Sequence, residues 1–461
     1  MIGTEIPAKE INYHPASCHD TAGRLFWWNG DLYRGIRKES ATFYKKLFDE
    51  GIVKKLIGQR FLVETDITDL TLDGYPLIFK HQVVPFVSFA FEWCPEMLRD
   101  AAFLILDLTT ELINDGIFID DPEPFNVLFD GCQPILVDLC SIEPSAHVNI
   151  IRWTKYEDEF YKSFIYPLQL FIMRKRSLIR RLYVDSDSDK NIDEEVAALV
   201  GYRRQKNIIS IANGIILDSV NAATRNIFKN AGSTLTTRRK DFVLCNLKKL
   251  REETESIPLS TMQKENLTCC PTDEYSQKSR PIHKILSEIR PSTVLIISGN
   301  DLAWYSKLAV SCGSRVVSID SDDGNIALCY HEARKENLPI LPLVMDIQDP
   351  TPGFRIGNNK NSPAFVRLQS DLVMALSKVH TLFFDHDLTF EQIVRIFASF
   401  SKRWVLAEFV SVDDEEVRDV TSSRHPMYTL ENFISELNKQ FNEVTVIHDS
   451  PDPRIFLLCK K

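Results

Sequence analysis

Two aspartates and an asparagine in the first third of the chain stand at a spacing suited to a phosphorylated nucleotide. In DDPEPFNVLFDGCQPILVDLCSIEP, Asp120 to Pro144, Asp121 and Asn126 are five positions apart, and Asp138 ends the apolar run that follows a turn at Asp130-Gly131. In a D-x-x-x-x-N, hairpin, D arrangement the first Asp can orient a hydroxyl while the Asn and the second Asp hold Mg²⁺. Asp121 is the candidate for the first role, and Asn126 and Asp138 for the metal role, with ATP and Mg²⁺ as the ligands such a site would hold. Arg34 or Lys80 can supply the positive charge. The same residue types also stitch turns together with no ligand at all, and no glycine-rich phosphate loop precedes them.

A second set lies in the last third, where apolar runs of strand type end in polar residues. VLII is followed by Ser298, Gly299, Asn300 and Asp301; RVVSID ends in Asp320 with Asp322 close behind; ILPLVMDI carries Asp346 near its end; LVMALSKVH runs into His380; and RWVLAEFV carries Glu408. In a parallel sheet ligands bind beyond the carboxyl ends of the strands, so position marks these residues more than composition does. A carboxylate about 20 residues after the first loop can accept two hydrogen bonds from a ribose diol. Asp346 is placed to meet an adenine edge. An imidazole such as that of His380 is the side-chain type that serves as a base for an oxygen or protonated nitrogen nucleophile, and Glu408 is a second candidate for catalysis, with a structural or substrate-positioning role as the reading favoured for it. The alternative for each Asp is a helix N-cap, and for His380 a strand or helix cap. Asp385, His386 and Asp387 read as helix-start residues, with Asp387 as N-cap.

Arg24 to Ile36 holds Asn29-Gly30 between two apolar or aromatic runs, a strong hairpin signal. Glu39 to Ile52 reads as a helix. Two or three strand-like runs follow, and then one amphipathic helix, Met97 to Asp115, is ended by Gly116. Trp153 to about Ala231 is helical in pattern apart from an exposed polar run at Asp185 to Glu195, and Arg238 to Glu255 is helix-compatible. Ser256 to Pro281 has no clear period, which places a boundary there. Beyond it strands alternate with helices, the pattern of a parallel sheet covered on both faces. The expected architecture is α/β: an α+β N-terminal domain with a helical extension, residues 1–270, then a doubly wound Rossmann-like domain, residues 271–461.

The chain of 461 residues is long enough for two or three cored domains. Its net charge of −10 argues against broad nucleic-acid or anionic-membrane binding. No apolar run is long enough to span a membrane, and the first 20 residues lack the order of a secretory signal. Ten scattered cysteines without repeated CxxC fit reduced thiols in the cytoplasm. His14, Cys18 and His19 have no second ligand pair at zinc spacing.

VVSIDSDDGNI, LPLVMDIQDPTP, SDLVMALSKVHTL, AEFVSVDDEEV, YTLENFISELNKQFNEV and DSPDPRIFLL, in that order from about Glu274 onward, resemble the class I S-adenosylmethionine (SAM)-dependent methyltransferases. The likeness extends to a bacterial subfamily with a kinase-like N-terminal region. It implies that Asp320 holds the ribose hydroxyls, that Asp346 lies beside the adenine, and that Ser298 to Asp301 wrap the methionine end of SAM. The first loop departs from the subfamily: Ile296 stands where an Asp is expected, Ser298 where a glycine is, and Leu302 or Ala303 replaces the other glycine. The loss of the acid removes a partner for the cofactor's ammonium group. The first half resembles the kinase-like fold, with His81 to Trp93 at the hinge between lobes. It lacks an unambiguous third-strand lysine, Asp120 replaces the His before the catalytic position, and Asp138 continues as Leu139-Cys140.

The implied activity is methyl transfer to an unidentified small molecule or protein side chain, with the first half recognising or presenting the acceptor. Two other readings stand beside it: a binding protein on a methyltransferase fold that has lost SAM, and a kinase-like nucleotide binder or phosphotransferase.

Overall fold

Asn29 and Gly30 both adopt left-handed backbone, φ 50° and 84°, the requirement of a two-residue hairpin turn. They join β2 (Gly23–Trp28) to β3 (Asp31–Ile36). In the computed structural model, which describes residues 4–17, 20–145, 150–185, 191–201, 232–259, 273–299, 301–353, 362–414, 417, 426–447 and 454–461, this hairpin is the centre of a five-stranded antiparallel sheet. β1 (Asn12–Tyr13), β4 (Thr65–Ile67) and β5 (Leu77–His81) complete it in the order β1-β2-β3-β5-β4. The helical stretch expected over Glu39 to Ile52 is two helices, α1 (Lys38–Asp49) and α2 (Ile52–Gly58), because Gly51 at φ 74° turns the chain between them.

Past the expected hinge, α3 (Pro95–Asn114) matches the predicted amphipathic helix, with a proline in its first turn and a wide buried apolar face. Two small ladders follow: β6 (Ile117–Ile119) with β9 (Ile142–Pro144), and β7 (Val127–Asp130) with β8 (Gln133–Leu136). Helices α4 (Ile150–Phe160), α5 (Tyr166–Ile172), α6 (Arg176–Asp185), α7 (Asn191–Leu199) and α8 (Gly232–Ser256) lie along the predicted helical extension, of which residues 186–190 and 202–231 fall outside the described residues.

After α9 (Asp273–Ile289) comes the second sheet. Its strands are β10 (Thr293–Ile297), β11 (Arg315–Asp320), β12 (Ile340–Val344), β13 (Ser370–Ala375), β14 (Ser401–Val410), β15 (Glu443–Ile447) and β16 (Arg454–Lys460). They lie in the order β12-β11-β10-β13-β14-β16-β15. This is a Rossmann-like sheet whose switch point falls at β10, between the chain's outward steps to β11 and β13. The first five are parallel and buried on both faces, hence nearly continuous Val, Ile and Leu. The last strand departs from the parallel pattern: β16 runs antiparallel to both β14 and β15. Only residues 448–453 separate β15 from β16, fewer than a parallel crossover requires.

The connections are α10 (Leu302–Ser311), α11 (Asp323–Glu336), α12 (Ala364–Arg367), α13 (Val379–Phe384), α14 (Phe390–Phe400) and α15 (Leu430–Gln440). The predicted N-cap at Asp387 is corrected. That residue sits in left-handed backbone at φ 57°, and Thr389 caps α14 in a reciprocal capping box with Gln392.

The two sheet regions meet at the β7–β8 turn. Gln133 donates to the Asn337 side chain at 2.8 Å, Tyr330 Oη donates to Asp100 at 2.7 Å, and Arg315 pairs with Asp130. Gly131, at φ 63°, lies so close that a Cβ would stand 2.8 Å from Pro339 Cα. Gly131→Ala meets both an unfavourable φ and a backbone clash, and is expected to cost about 2 kcal/mol. Denaturant melts would show this as a lower midpoint at unchanged slope.

Candidate functional site

The exits of β10, β11 and β12 form one rim, because these strands are neighbours in register: Ile297 pairs with Ile319, and Asp320 with Val344. Ser298 is buried just past β10. Gly299 has open space beside it, since an added Cβ would meet nothing within 4 Å. Asp301 occupies the N-cap position of α10, where its carbonyl accepts from Tyr305 N–H at 3.1 Å. Asn300 lies outside the described residues. Ile296, at the position where the resemblance expects an acid, is fully buried in the strand.

Asp320 closes β11 and is only 5% exposed. Its Oδ1 accepts from Asp322 N–H at 2.9 Å and its Oδ2 from Asn325 Nδ2 at 3.1 Å. The helix cap that competed with a ligand role belongs instead to Asp322, which accepts from Asn325 N–H at 3.0 Å. Asp320 is thus fixed from below on both oxygens while each oxygen retains lone-pair capacity. Asp346 is exposed and turns back to accept from Gln348 N–H at 2.9 Å.

The start of α11 is braced by the other half of the chain. Arg176 pairs with Asp323 and also donates to the carbonyls of Phe91 and Trp93 at 3.0 and 3.1 Å. Burial works against both charges, pushing Asp323 up and Arg176 down against the pull of the partner. Nearby, Arg367 on α12 pairs with Glu92, donates to Val87 carbonyl at 2.6 Å and lies 4.4 Å from the centre of the Phe89 ring. The expected hinge, His81 to Trp93, is therefore held against two connections of the second sheet. Arg176, Arg367 and Asn325 were not singled out from sequence. Nothing in their local pattern distinguishes them from other surface polar residues.

β13 leads to the opposite side of the first loop, where Leu376 N–H donates to Ile297 carbonyl at 3.1 Å. His380 is the second residue of α13, half-buried, rather than the end of the strand itself. Glu408 is placed as a structural group rather than as an exposed base. It is fully buried, accepting from Ser377 N–H at 2.7 Å, from Ser377 Oγ at 3.2 Å and from Arg454 at 3.2 Å. Arg454 further pairs with Asp414 at 3.1 Å. A carboxylate so enclosed holds a backbone. Ser377 sits at φ 51°, a costly conformation for a residue with a Cβ, and Glu408 pins it there three residues before His380.

In the first half, Asp121 and Asn126 share one loop, where Asn126 Nδ2 donates to Asp121 carbonyl at 3.2 Å, and Val137 N–H, next to Asp138 beyond the β7–β8 hairpin, donates to Asn126 carbonyl at 2.9 Å. The expected metal pairing of Asn126 with Asp138 is not the arrangement found. Asp138 Oδ1 accepts from Arg34 at 2.8 Å and from Cys140 N–H at 2.9 Å. Arg34 also pairs with Asp20 at 2.6 Å, and the donor atoms that converge within 4.8 Å are those of Asp20, Asp138 and Cys140. Lys80, the other candidate cation, pairs with exposed Asp31. Asp121 faces Lys155 at 3.5 Å. His14 is described, Cys18 and His19 are not.

Beneath Arg34, His81 bonds Thr65 Oγ1 through Nδ1 at 2.9 Å. Burial, then the Arg34 charge, push its pKa from 6.5 down to about 3. The unfolded chain binds this proton near pH 6.5 and the folded chain only near 3. Stability from His81 is therefore complete above pH 6.5 and drains as pH falls toward 3, by roughly 1.4 kcal/mol per pH unit. Denaturation free energies measured across that window should flatten in His81→Gln.

Among the described residues no helix is long and apolar enough to cross a membrane, and the cysteines are free. The chain matches no protein-family model. It is 22% identical over 447 residues to the nodulation protein NoeA of Rhizobium meliloti (strain 1021), covering 92% of this chain and 91% of that protein. Similar solved structures include the bifunctional kinase-methyltransferase WbdD, at 20% identity and a TM-score of 0.28 over 41% of this chain. This chain spans 38% of that one's length. The N-methyltransferase NodS from Bradyrhizobium japonicum WM9 is 15% identical, with a TM-score of 0.28 over 41% of this chain and 99% of its own.

Proposed function

We propose that this chain is a SAM-dependent methyltransferase whose first half, residues 1–270, recognises or presents a small-molecule or protein acceptor to the second, residues 271–461. The observation that carries the reading is Asp320: a buried, rigidly held carboxylate at the exit of the strand beside the switch point, with the helix cap assigned to a different residue. The methyltransferase-like sheet supports it, and the similarity to NoeA, which runs through both halves, supports treating them as one working unit.

The donor set fits the adenosine part of SAM. Asp320 would accept from the ribose hydroxyls, Asp346 would lie by the adenine, and the open backbone at Gly299 leaves room for close approach of a ligand. When bound, the cofactor supplies an already activated methyl group. The chain's part is then alignment of the acceptor and exclusion of water. His380, on the loop set by Glu408 and Ser377, is the group placed to take a proton from the acceptor. Glu408 acts through that loop and not on the substrate. The bound reactive group would sit between the first loop and the Leu376 to His380 segment, which are tied by the Leu376 to Ile297 hydrogen bond.

One observation favours a second reading, a non-catalytic binding protein. The position expected to hold the cofactor's ammonium group is buried Ile296, so the methionine half lacks an acid the adenosine half retains. Calorimetric titration with SAM and with S-adenosylhomocysteine separates the two. Micromolar binding of both supports the methyltransferase, and no binding of either at high concentration sinks it.

A further inference from the structure

We propose that the N-terminal cleft is sealed against nucleotides by its own chain: Asp20, carried on the segment between β1 and β2, occupies on Arg34 the place a phosphate group would take. This stands independently of methyl transfer by the second half.

In a kinase-type cleft the loop between the first two strands covers the phosphates, and a cation on the third strand pairs with them. The antiparallel order β1-β2-β3-β5-β4 puts the corresponding parts in place here. The cation on β3 is Arg34, only 5% exposed. The covering segment is not glycine-rich. It contributes a carboxylate, and both oxygens are engaged: Oδ1 accepts from Ala22 N–H at 2.8 Å and Gly23 N–H at 3.3 Å, and Oδ2 accepts from Arg34 at 2.6 Å. The same guanidinium nitrogen reaches Asp138 at 2.8 Å.

The charge count decides what can enter. Two carboxylates face one guanidinium, so the cluster is already net negative before any phosphate arrives. Among the described residues around Arg34 no second cation relieves it. His81 is neutral at physiological pH, pushed down to about 3 by burial. Lys80 is engaged with Asp31 on the surface. A metal ion among Asp20, Asp138 and Cys140 would have to displace the guanidinium that lies against both acids. A polyphosphate would have to displace Asp20.

The test uses the full-length chain and titrates ATP with Mg²⁺, and separately inorganic tripolyphosphate, into wild type, Asp20→Asn and Asp20→Ala. Asp20→Asn keeps the oxygen that accepts from Ala22 and Gly23 and removes only the charge facing Arg34. It therefore decides the matter should Asp20→Ala fail to fold. The expected result is no measurable binding at millimolar ATP in wild type, and at least about a tenfold gain in affinity in Asp20→Asn, abolished again in Asp20→Asn/Arg34→Gln. Tripolyphosphate responding alongside ATP would place the gain at Arg34. Wild type binding ATP as tightly as Asp20→Asn, or a folded Asp20→Asn binding no better than wild type, would overturn the proposal.

Discussion

Asp320→Ala is expected to weaken binding of SAM and of S-adenosylhomocysteine by about a hundredfold or more. Two ribose hydroxyls donating to a charged acceptor contribute about 1.5 to 3 kcal/mol each, and about 2.7 kcal/mol in total already corresponds to a hundredfold. Loss of the carboxylate also strips a partner from Asp322 N–H and from Asn325 Nδ2. A thermal melt without ligand must therefore accompany the titration, so that loss of affinity is separated from loss of fold. Asn325→Ala provides the intermediate case. It leaves the acid but removes one of the two hydrogen bonds that aim it, so affinity should fall by roughly tenfold while the carboxylate remains. A wild-type chain that binds both ligands, with an Asp320→Ala variant that binds them equally well, would remove Asp320 from the site.

Glu408→Ala is expected to destabilise the protein by about 2 to 3 kcal/mol, because it leaves Arg454 buried with half its compensation gone and Ser377 without the acceptor that holds its backbone. Asp414 remains on the other side of the guanidinium at 3.1 Å, which keeps the loss below that of a wholly unpaired charge. Glu408→Gln distinguishes positioning from proton transfer. If Glu408 holds the loop, the Gln variant melts lower and transfers methyl groups more slowly with an unchanged pH profile. If instead it were the base, activity would vanish with the melt unchanged and the pH dependence would lose a limb. The same measurement on His380→Gln should show the converse pattern, with the fold intact and the pH profile altered.

The strands of the second sheet were legible because each is a short apolar run bounded by turn residues, and runs buried on both faces have few alternatives. The β2–β3 hairpin was legible for a different reason. Asn-Gly is one of few dipeptides that tolerate positive φ at both positions, so a local pair determines the turn. Position along the alternating strands likewise marked Asp320 and the first loop, since strand ends are where such a sheet binds ligands. The break at Gly51 and the true cap at Thr389 lay beyond this reading. A periodic apolar pattern continues across a glycine, and several polar residues in a row compete equally for one cap.

From the order of its residues alone this protein is committed to two sheet regions, to the hairpin, to the long amphipathic helix and to acids at successive strand exits, because each follows from side-chain period, turn chemistry or local spacing. Only the tertiary structure decided what those acids do. Asp320 stays at the rim because Asp322 takes the cap, Glu408 turns inward because Arg454 arrives on β16 from 46 positions away, and Asp138 meets Arg34 across more than a hundred residues, joined there by Asp20. A charge has no local partner written beside it. Its role is settled by which distant charge the folded chain buries with it, and burial strengthens that pairing and penalises its absence.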